Sequence, residues 1–419
     1  MSSRSERPVG HRSATTVFYS LALGSGVMRT FSVTFDIVAL NTITIDYLAY
    51  GFLAQWTSFV VTLCVLVFLS IKHSKNGKKR ALGYSLDPDF GRLRLLPRTP
   101  MIYIVIAGVF AGVSTLSYYI LAGSSDSSTV LPYGQLVIIY LLIGDLFAEK
   151  DTPTVIEIQS IISILFGVLL VGATPGGFNI ITLLIVLGPL NISSALVTYY
   201  QRKTKRYEIS PGLRVDSLNM RIWTLLVLNS VMSALMFPFM TESSWHSMVI
   251  EFIPLLGYMV AGSVTAFFSI IMYIRALGRG KMAVVNSLSS ISVVLGLPVT
   301  LIGNLLIPGA FGIINADAFL WSLKLFGIIL VMIGVIALEA SDVRSLVIIH
   351  VKPLTGDLLP ALFEIKGVES VAALAGPQDY LLSIKSRNLT KTRTLILKKI
   401  QKIEGIKDVE TLVVMKEYT

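Results

Sequence analysis

The stretch AGVFAGVSTLSYYILAGSSDSSTV, Ala107 to Val130, decides how the chain is to be read. From Ala107 to Ala122 it holds no charged side chain, small residues recur four apart at Gly108 and Gly112, and a polar acidic turn follows. Slid forward by 154 positions it falls without a gap on AGSVTAFFSIIMYIRALGRGKMAV, Ala261 to Val284. Ala107, Gly108, Tyr119, Ile120, Ala122 and Val130 then meet Ala261, Gly262, Tyr273, Ile274, Ala276 and Val284, and Gly112 meets Ala266. The connection inside the first copy, SSDSS at Ser124 to Ser128, is acidic, and its counterpart GRGKM at Gly278 to Met282 is basic. Cytoplasmic connections collect Lys and Arg, so the two copies are expected to cross a membrane in opposite directions.

The rest of the chain has the composition of a membrane protein. Of 419 residues 14% are charged and 53% hydrophobic, and the mean hydropathy is +0.73. A bilayer core about 30 Å thick takes roughly 20 apolar residues per helix. Ten stretches approach that length: 15–35, 47–71, 101–122, 128–147, 154–173, 178–200, 222–240, 252–274, 282–306 and 318–338. They predict two five-helix halves, 1–175 and 176–341, repeated with inverted topology, an arrangement that puts a solute site between the halves near the midplane. The polar basic N-terminus, without a small-residue cleavage site, is expected to be a retained cytoplasmic tail.

The net charge of +10 has a positional explanation. Arg4, Arg7 and Arg12 precede the first stretch, and Lys72 to Arg98 holds eight basic residues. Lys150 follows the fourth stretch, Arg202, Lys203, Lys205, Arg206, Arg214 and Arg221 the sixth, and Arg275, Arg279 and Lys281 the eighth. The intervening connections, around Asp36 to Asp46, Asp126, Pro175, Glu242 and Pro308 to Asp317, carry no Lys or Arg. A multi-pass protein of the cell membrane with both termini cytoplasmic is expected, and no nucleic-acid partner is needed to explain the charge.

Five plus five stretches, small residues in the third and eighth, and the segment LPYGQLVIIYLLIGDLFAEKDTP resemble the drug/metabolite transporter superfamily of EamA type, over about residues 1–341. That family's fourth span carries an early proline and ends in Glu, as Pro132 and Glu149 do here. The second half departs from the pattern, with Asn286 at the proline position and LPVTLIGN in place of the terminal Glu. The resemblance implies a secondary transporter.

Charges within the stretches are rare, and each costs at least about 2.5 kcal/mol to insert. With the first stretch ending at residue 35, Arg29 and Lys324 are the candidates, both expected in the outer half of the bilayer as interfacial anchors, with Arg29 alternatively holding a substrate carboxylate. No carboxylate relay in the cavity is expected, and Asp145 and Glu149 are placed at the wet end of the fourth stretch. Ser25, Tyr118 and Tyr199 are polar residues of the cavity-lining stretches. The candidate substrate-binding set is Arg29, Tyr119, Gln135, Asn191, Tyr273 and Asn286. Such a lining suits a neutral, zwitterionic or amphipathic solute. For Asn286 the alternative is a helix-to-helix hydrogen bond, and the Gly108–Gly112 spacing indicates close packing. A single cysteine, Cys64, four scattered histidines and the lack of Walker, HExxH and GxSxG motifs predict no metal site, no cofactor and no enzymatic or ATP-driven activity.

After Arg344 the periodicity changes. SLVIIHV, VESVAALA, YLLSIKS and KDVETLVVMKE alternate like strands, and TGDLLPALFEIKG and NLTKTRTLILKKIQKIEG carry a helical spacing. The order βαββαβ predicts a ferredoxin-like α+β domain over 344–419. Its stretch VKPLTGDLLPALFEIKGVESVAALAGPQDYLLSIKS resembles the ligand-binding, ACT-like domain of Lrp/AsnC regulators, with the glycine and aspartate of that family's turn at Gly376 and Asp379 and its threonine at Thr411. The resemblance implies a homodimer formed through the sheets and an amino acid or related effector bound near Gly376, Asp379 and Thr411. A purely turn-shaping Asp379 is the alternative. The chain is thus expected to be a transporter of amino acids or similar metabolites, acting as an exporter, with a solute-sensing or dimerising tail. A non-transporting membrane-anchored sensor and a tail that only clamps a dimer are the alternatives.

Overall fold

The computed structural model describes residues 10–44, 46–75, 78–123, 127–149, 155–171, 180–280, 282–312, 317–340, 343–353, 356–363, 365, 368–374, 379–386 and 399–413. The chain forms two compact units, one of residues 1–152 and 161–335, the other of 153–160 and 336–419.

The described residues of every apolar stretch are helical. The helices are α1 (Gly10–Thr42), α2 (Tyr47–Leu69), α3 (Arg98–Ala122), α4 (127–149), α5 (Val155–Val171), α6 (Ile180–Lys205), α7 (Ser217–Met236), α8 (Glu242–Arg279), α9 (Met282–Leu306) and α10 (Ala318–Ala340). Among the described residues seven are long and apolar enough to cross a membrane, namely α1, α2, α3 and α6 to α9, while α4, α5 and α10 carry shorter apolar segments. Large apolar side chains such as Phe68, Phe166, Val249, Ile253, Phe319 and Phe326 point outward and exposed. A helix has no unpaired backbone groups along its length, so it can present such a surface to hydrocarbon.

Polar residues set the helix starts. Asp46 caps α2 by accepting from the Leu48 and Ala49 amides, Asp216 caps α7 through the Asn219 amide, and Thr241 forms a capping box with Ser244 at α8. The first helix runs on past residue 35 to Thr42, because Ile37, Val38, Ala39 and Leu40 are all buried against the bundle. Asp36, assigned by sequence to a connection, therefore lies inside α1.

Three helices are interrupted. α4 tightens into a 3-10 turn at Gly134–Leu136 just after Pro132, and α9 breaks at Ser290. There the Ser289 and Ser290 hydroxyls both donate back to the Asn286 carbonyl. α6 widens into a π-turn at Val186–Leu190, where Pro189 lacks an amide to continue the ladder. The Asn191 amide donates to the Val186 carbonyl at 2.6 Å and to the Tyr133 carbonyl at 2.9 Å. α1 packs on α8 and α9, and α3 on α6 and α7. The close-packing expectation for Gly108 and Gly112 is met on α7: a Cβ at Gly108 would lie 2.5 Å from Val227 Cβ, and one at Gly112 2.9 Å from Val231 Cγ1.

Of the basic residues assigned by sequence to connections, Arg202, Lys205 and Arg221 lie on helix ends and are buried. Lys205 pairs with Asp87 at 2.9 Å and Asp89 at 3.1 Å, and donates to the Val215 carbonyl. Asp87 also accepts from the Ser217 amide at 2.7 Å, and Asn219 clasps the Arg92 carbonyl and the Arg94 amide. These bonds fasten the segment between α2 and α3, which carries a hairpin of β1 (Lys72–Lys75) and β2 (Lys78–Ala81), to the ends of α6 and α7. A second small hairpin, β3 (Glu208–Ser210) with β4 (Leu213–Arg214), joins α6 to α7.

In the C-terminal unit, β5 (Val343–Val351), β6 (Val368–Ala373), β7 (Tyr380–Ser386) and β8 (Ile406–Val413) form an antiparallel sheet of order β6-β7-β5-β8, with α11 (Leu359–Phe363) after β5. This is the strand order of a split βαβ sandwich. The second expected helix falls largely on 387–398, outside the described residues. One face buries Val347, Ile349, Leu382 and Ile384 against Leu362 and Ile400. The alternate residues Leu346, Ile348 and Leu381 stand on the other face with Leu412, which is 46% exposed.

Candidate functional site

The helical unit encloses a cavity of about 320 Å³, at the small end of the roughly 300–1,000 Å³ range for ligand pockets. Eight helices line it. Among the described residues α5 and α10 contribute none.

The lining is regular. α1 contributes Ser25, Arg29, Ser32, Val33 and Asp36, and α6 contributes Leu190, Ser194, Val197, Thr198 and Gln201, each 165 positions further on. Gln55 and Ser58 of α2 are matched at +166 by Arg221 and Thr224 of α7. Ala111, Ser114, Thr115 and Tyr118 of α3 are matched at +155 by Ala266, Ser269, Ile270 and Tyr273 of α8. Gly134 and Val137 of α4 are matched at +152 by Asn286 and Ser289 of α9. Hydrogen bonds follow the same correspondence. Ser269 of α8 donates to the Ser25 carbonyl of α1 at 2.8 Å, and Ser114 of α3 donates to the Leu190 carbonyl of α6 at 3.0 Å.

Charge is concentrated at three side chains. Arg29 is the fourteenth residue of the 27-residue apolar segment Thr16–Thr42. Its guanidinium rests against Gly134, where an added Cβ would lie 2.7 Å from Nη2. Asp36, two turns along the same face of α1, accepts hydrogen bonds from the Tyr50 hydroxyl at 2.7 Å and the Tyr118 hydroxyl at 2.9 Å. Among the described residues one carboxylate, Asp36, thus lines the cavity. Arg221 of α7 is the third, only 6% exposed. Among the described residues neither arginine has a carboxylate within ion-pairing distance.

Of the six membrane residues named from sequence, Arg29, Tyr273 and Asn286 line the cavity and Tyr119, Gln135 and Asn191 stand behind it. Tyr119 is buried against Tyr50 and accepts a hydrogen bond from Gln55, so Tyr118 rather than Tyr119 faces the cavity as the counterpart of Tyr273. Gln135 bridges the two broken helices, accepting from Ser290 at 2.6 Å and Asn286 at 3.3 Å. Asn191, fully buried, ties the π-turn to α4 as described above. Asn286 makes helix-to-helix hydrogen bonds to Gln135 and Tyr273 and also lines the cavity. Asp36, Gln55, Gln201 and Arg221 were missed. The signal in the sequence was the polar stripe Ser25, Arg29, Ser32, Asp36, spaced four, three and four apart on one helix face.

In the C-terminal unit Asp379 closes the sheet: its carboxylate accepts from the Val351 amide at 2.6 Å and its own amide donates to the Ile349 carbonyl at 3.3 Å. Thr411 is exposed on β8 opposite Val347, across β5 from β7. Gly376 lies outside the described residues.

No curated protein matches the chain significantly. A solved structure titled "Crystal structure of protein" aligns over 77% of this chain and 97% of its own length, at 16% identity and a TM-score of 0.47. Residues 346–419 match the family model described as Lrp/AsnC ligand binding domain, so the chain carries several membrane-length apolar helices followed by a ligand-binding domain of that kind.

Proposed function

We propose that the protein is a secondary transporter of amino acids or closely related small metabolites, an exporter of the drug/metabolite type. Ten membrane-crossing helices in two inverted halves carry the solute, and the cytoplasmic C-terminal domain senses it. The observation that carries this reading is the matched lining. Thirteen positions on α1 to α4 recur with the same spacing on α6 to α9, around one cavity that holds both signs of charge. Halves related in this way can rock about a site between them, opening it to either side in turn, and the interrupted helices α4, α6 and α9 at the cavity supply the backbone irregularity such sites use. Arg29 is placed to take a solute carboxylate, and Asp36, oriented by two tyrosine hydroxyls, to take an ammonium. An amino acid presents both.

The sheet face bearing Leu346, Ile348, Leu381 and Leu412 supports a homodimer formed through the C-terminal domains. An effector bound there changes flux if it favours one carrier state over another.

Uptake of labelled amino acids into vesicles containing the purified protein tests the proposal. Flux is expected, with Arg29→Gln and Asp36→Asn each reducing it at least about tenfold, the loss of a charge-assisted hydrogen bond. Deleting 344–419 is expected to abolish the dependence of flux on internal amino acid. Vesicles that move no amino acid would leave the membrane-anchored sensor as the better account.

A further inference from the structure

If Arg29 and Asp36 hold a zwitterion as proposed, the cation on α7 is left over. Arg221 is 6% exposed, lines the cavity, and its Nε has no hydrogen-bond partner among the described residues. One turn on, Thr224 also lines the cavity, 3% exposed, with its hydroxyl equally unpartnered. Gln201 of α6 also lines the cavity. A guanidinium buried without a counter-charge is costly, and an anion that binds it recovers that cost. The fold does not call for the charge: Gln55, at the matching place on α2, fills its position with a neutral amide.

Counting the charged side chains of the lining gives Arg29 and Arg221 against Asp36, a net charge of +1. A solute complementary to that set has two anionic groups and one cationic group. We infer that the cavity is built for an amino acid with a second carboxylate, whose side-chain carboxylate is held by Arg221 and Thr224 while Arg29 and Asp36 hold its α-carboxylate and α-ammonium. The inference rests on the transport reading above and narrows it to a substrate class. It departs from the sequence expectation of a neutral, zwitterionic or amphipathic solute in adding a second carboxylate.

Glutamate and glutamine differ in charge but hardly in size, so they separate this subsite from the rest of the cavity. In vesicles holding the full-length protein, initial uptake of labelled L-glutamate is measured against labelled L-glutamine. The wild type is expected to favour glutamate by about tenfold to a hundredfold, the worth of one charge-assisted hydrogen-bonded contact. Arg221→Gln is expected to collapse that ratio, and Arg221→Lys, which keeps the charge but not the planar fork, to lower it in part. Equal uptake of the two by the wild type, or a ratio that neither variant changes, overturns the inference and leaves the transport reading standing. If no amino acid moves at all, the transport reading fails and the inference with it.

Discussion

Asp87 and Asp216 share one buried cluster with Lys205, and the environment moves them in opposite directions. Burial pushes the Asp87 carboxyl up, but Lys205 beside it and the Ser217 amide outweigh that and hold it below the usual carboxylate range. At Asp216 burial prevails over two hydrogen bonds from Asn219 and lifts the carboxyl to about 6. Asp87, lower folded than unfolded, stabilises the protein above the unfolded value near 4 and loses that contribution as the pH falls through its folded value. Asp216, higher folded than unfolded, binds its proton more tightly when folded, so its contribution weakens as the pH rises from about 4 through about 6. Asp216→Asn keeps a capping oxygen and is expected to gain up to about 3 kcal/mol over wild type at pH 7.5, the gain fading toward pH 4.5. Asp87→Asn is expected to be destabilising at pH 7.5. Unfolding of the detergent-solubilised protein across that pH range checks both. Arg29 was legible in the sequence as a charge inside an apolar run. Asp36, its partner in the cavity, was hidden by a boundary drawn one residue before it, because the polar turn NTITID closes α1 later than the charge suggests.

At the scale of the element, the informative features are the interruptions, and the sequence showed only those with a proline. Pro132 announced a disturbance in α4, and Pro189 sits in the π-turn of α6, yet α9 breaks at a run of serines that no helix breaker marks. Its hydroxyls compete for backbone carbonyls, a local effect that composition does not reveal. The breaks matter because other helices press on them. A Cβ at Gly26 would overlap the Ser289 carbonyl oxygen, a backbone atom that cannot step aside, whereas one at Gly134 meets only the far end of Arg29. Gly26→Ala is therefore expected to lower stability by roughly 2 kcal/mol or more, an overpacking cost. Gly134→Ala is expected to fold normally but to raise the half-saturating solute concentration about three- to tenfold by displacing the guanidinium, an effect of roughly 1 kcal/mol. Thermal unfolding and flux measured on both variants distinguish the two.

For the whole molecule, the periodicity of the chain made the class and the two-part organisation readable: continuous apolar runs to about residue 338, alternating strands after it. The internal match was readable only in part. A register of 154 paired Tyr119 with Tyr273, while the cavity pairs Tyr118 with Tyr273, because offsets of 165, 166, 155 and 152 on successive helices absorb connections of different length that an ungapped comparison cannot follow. In the proposed transporter α3 and α8 present matched faces to one solute site reached from both sides of the membrane. Cys64 is the single cysteine and is exposed, so Cys64→Ala provides a clean background. In that background Ser114→Cys and Ser269→Cys are each treated with a membrane-impermeant thiol reagent, from the outside and, in inverted vesicles, from the inside. Both cysteines are expected to react from either side, and added amino acid to slow both reactions. Labelling from one side only, unaffected by any amino acid, would contradict the proposal.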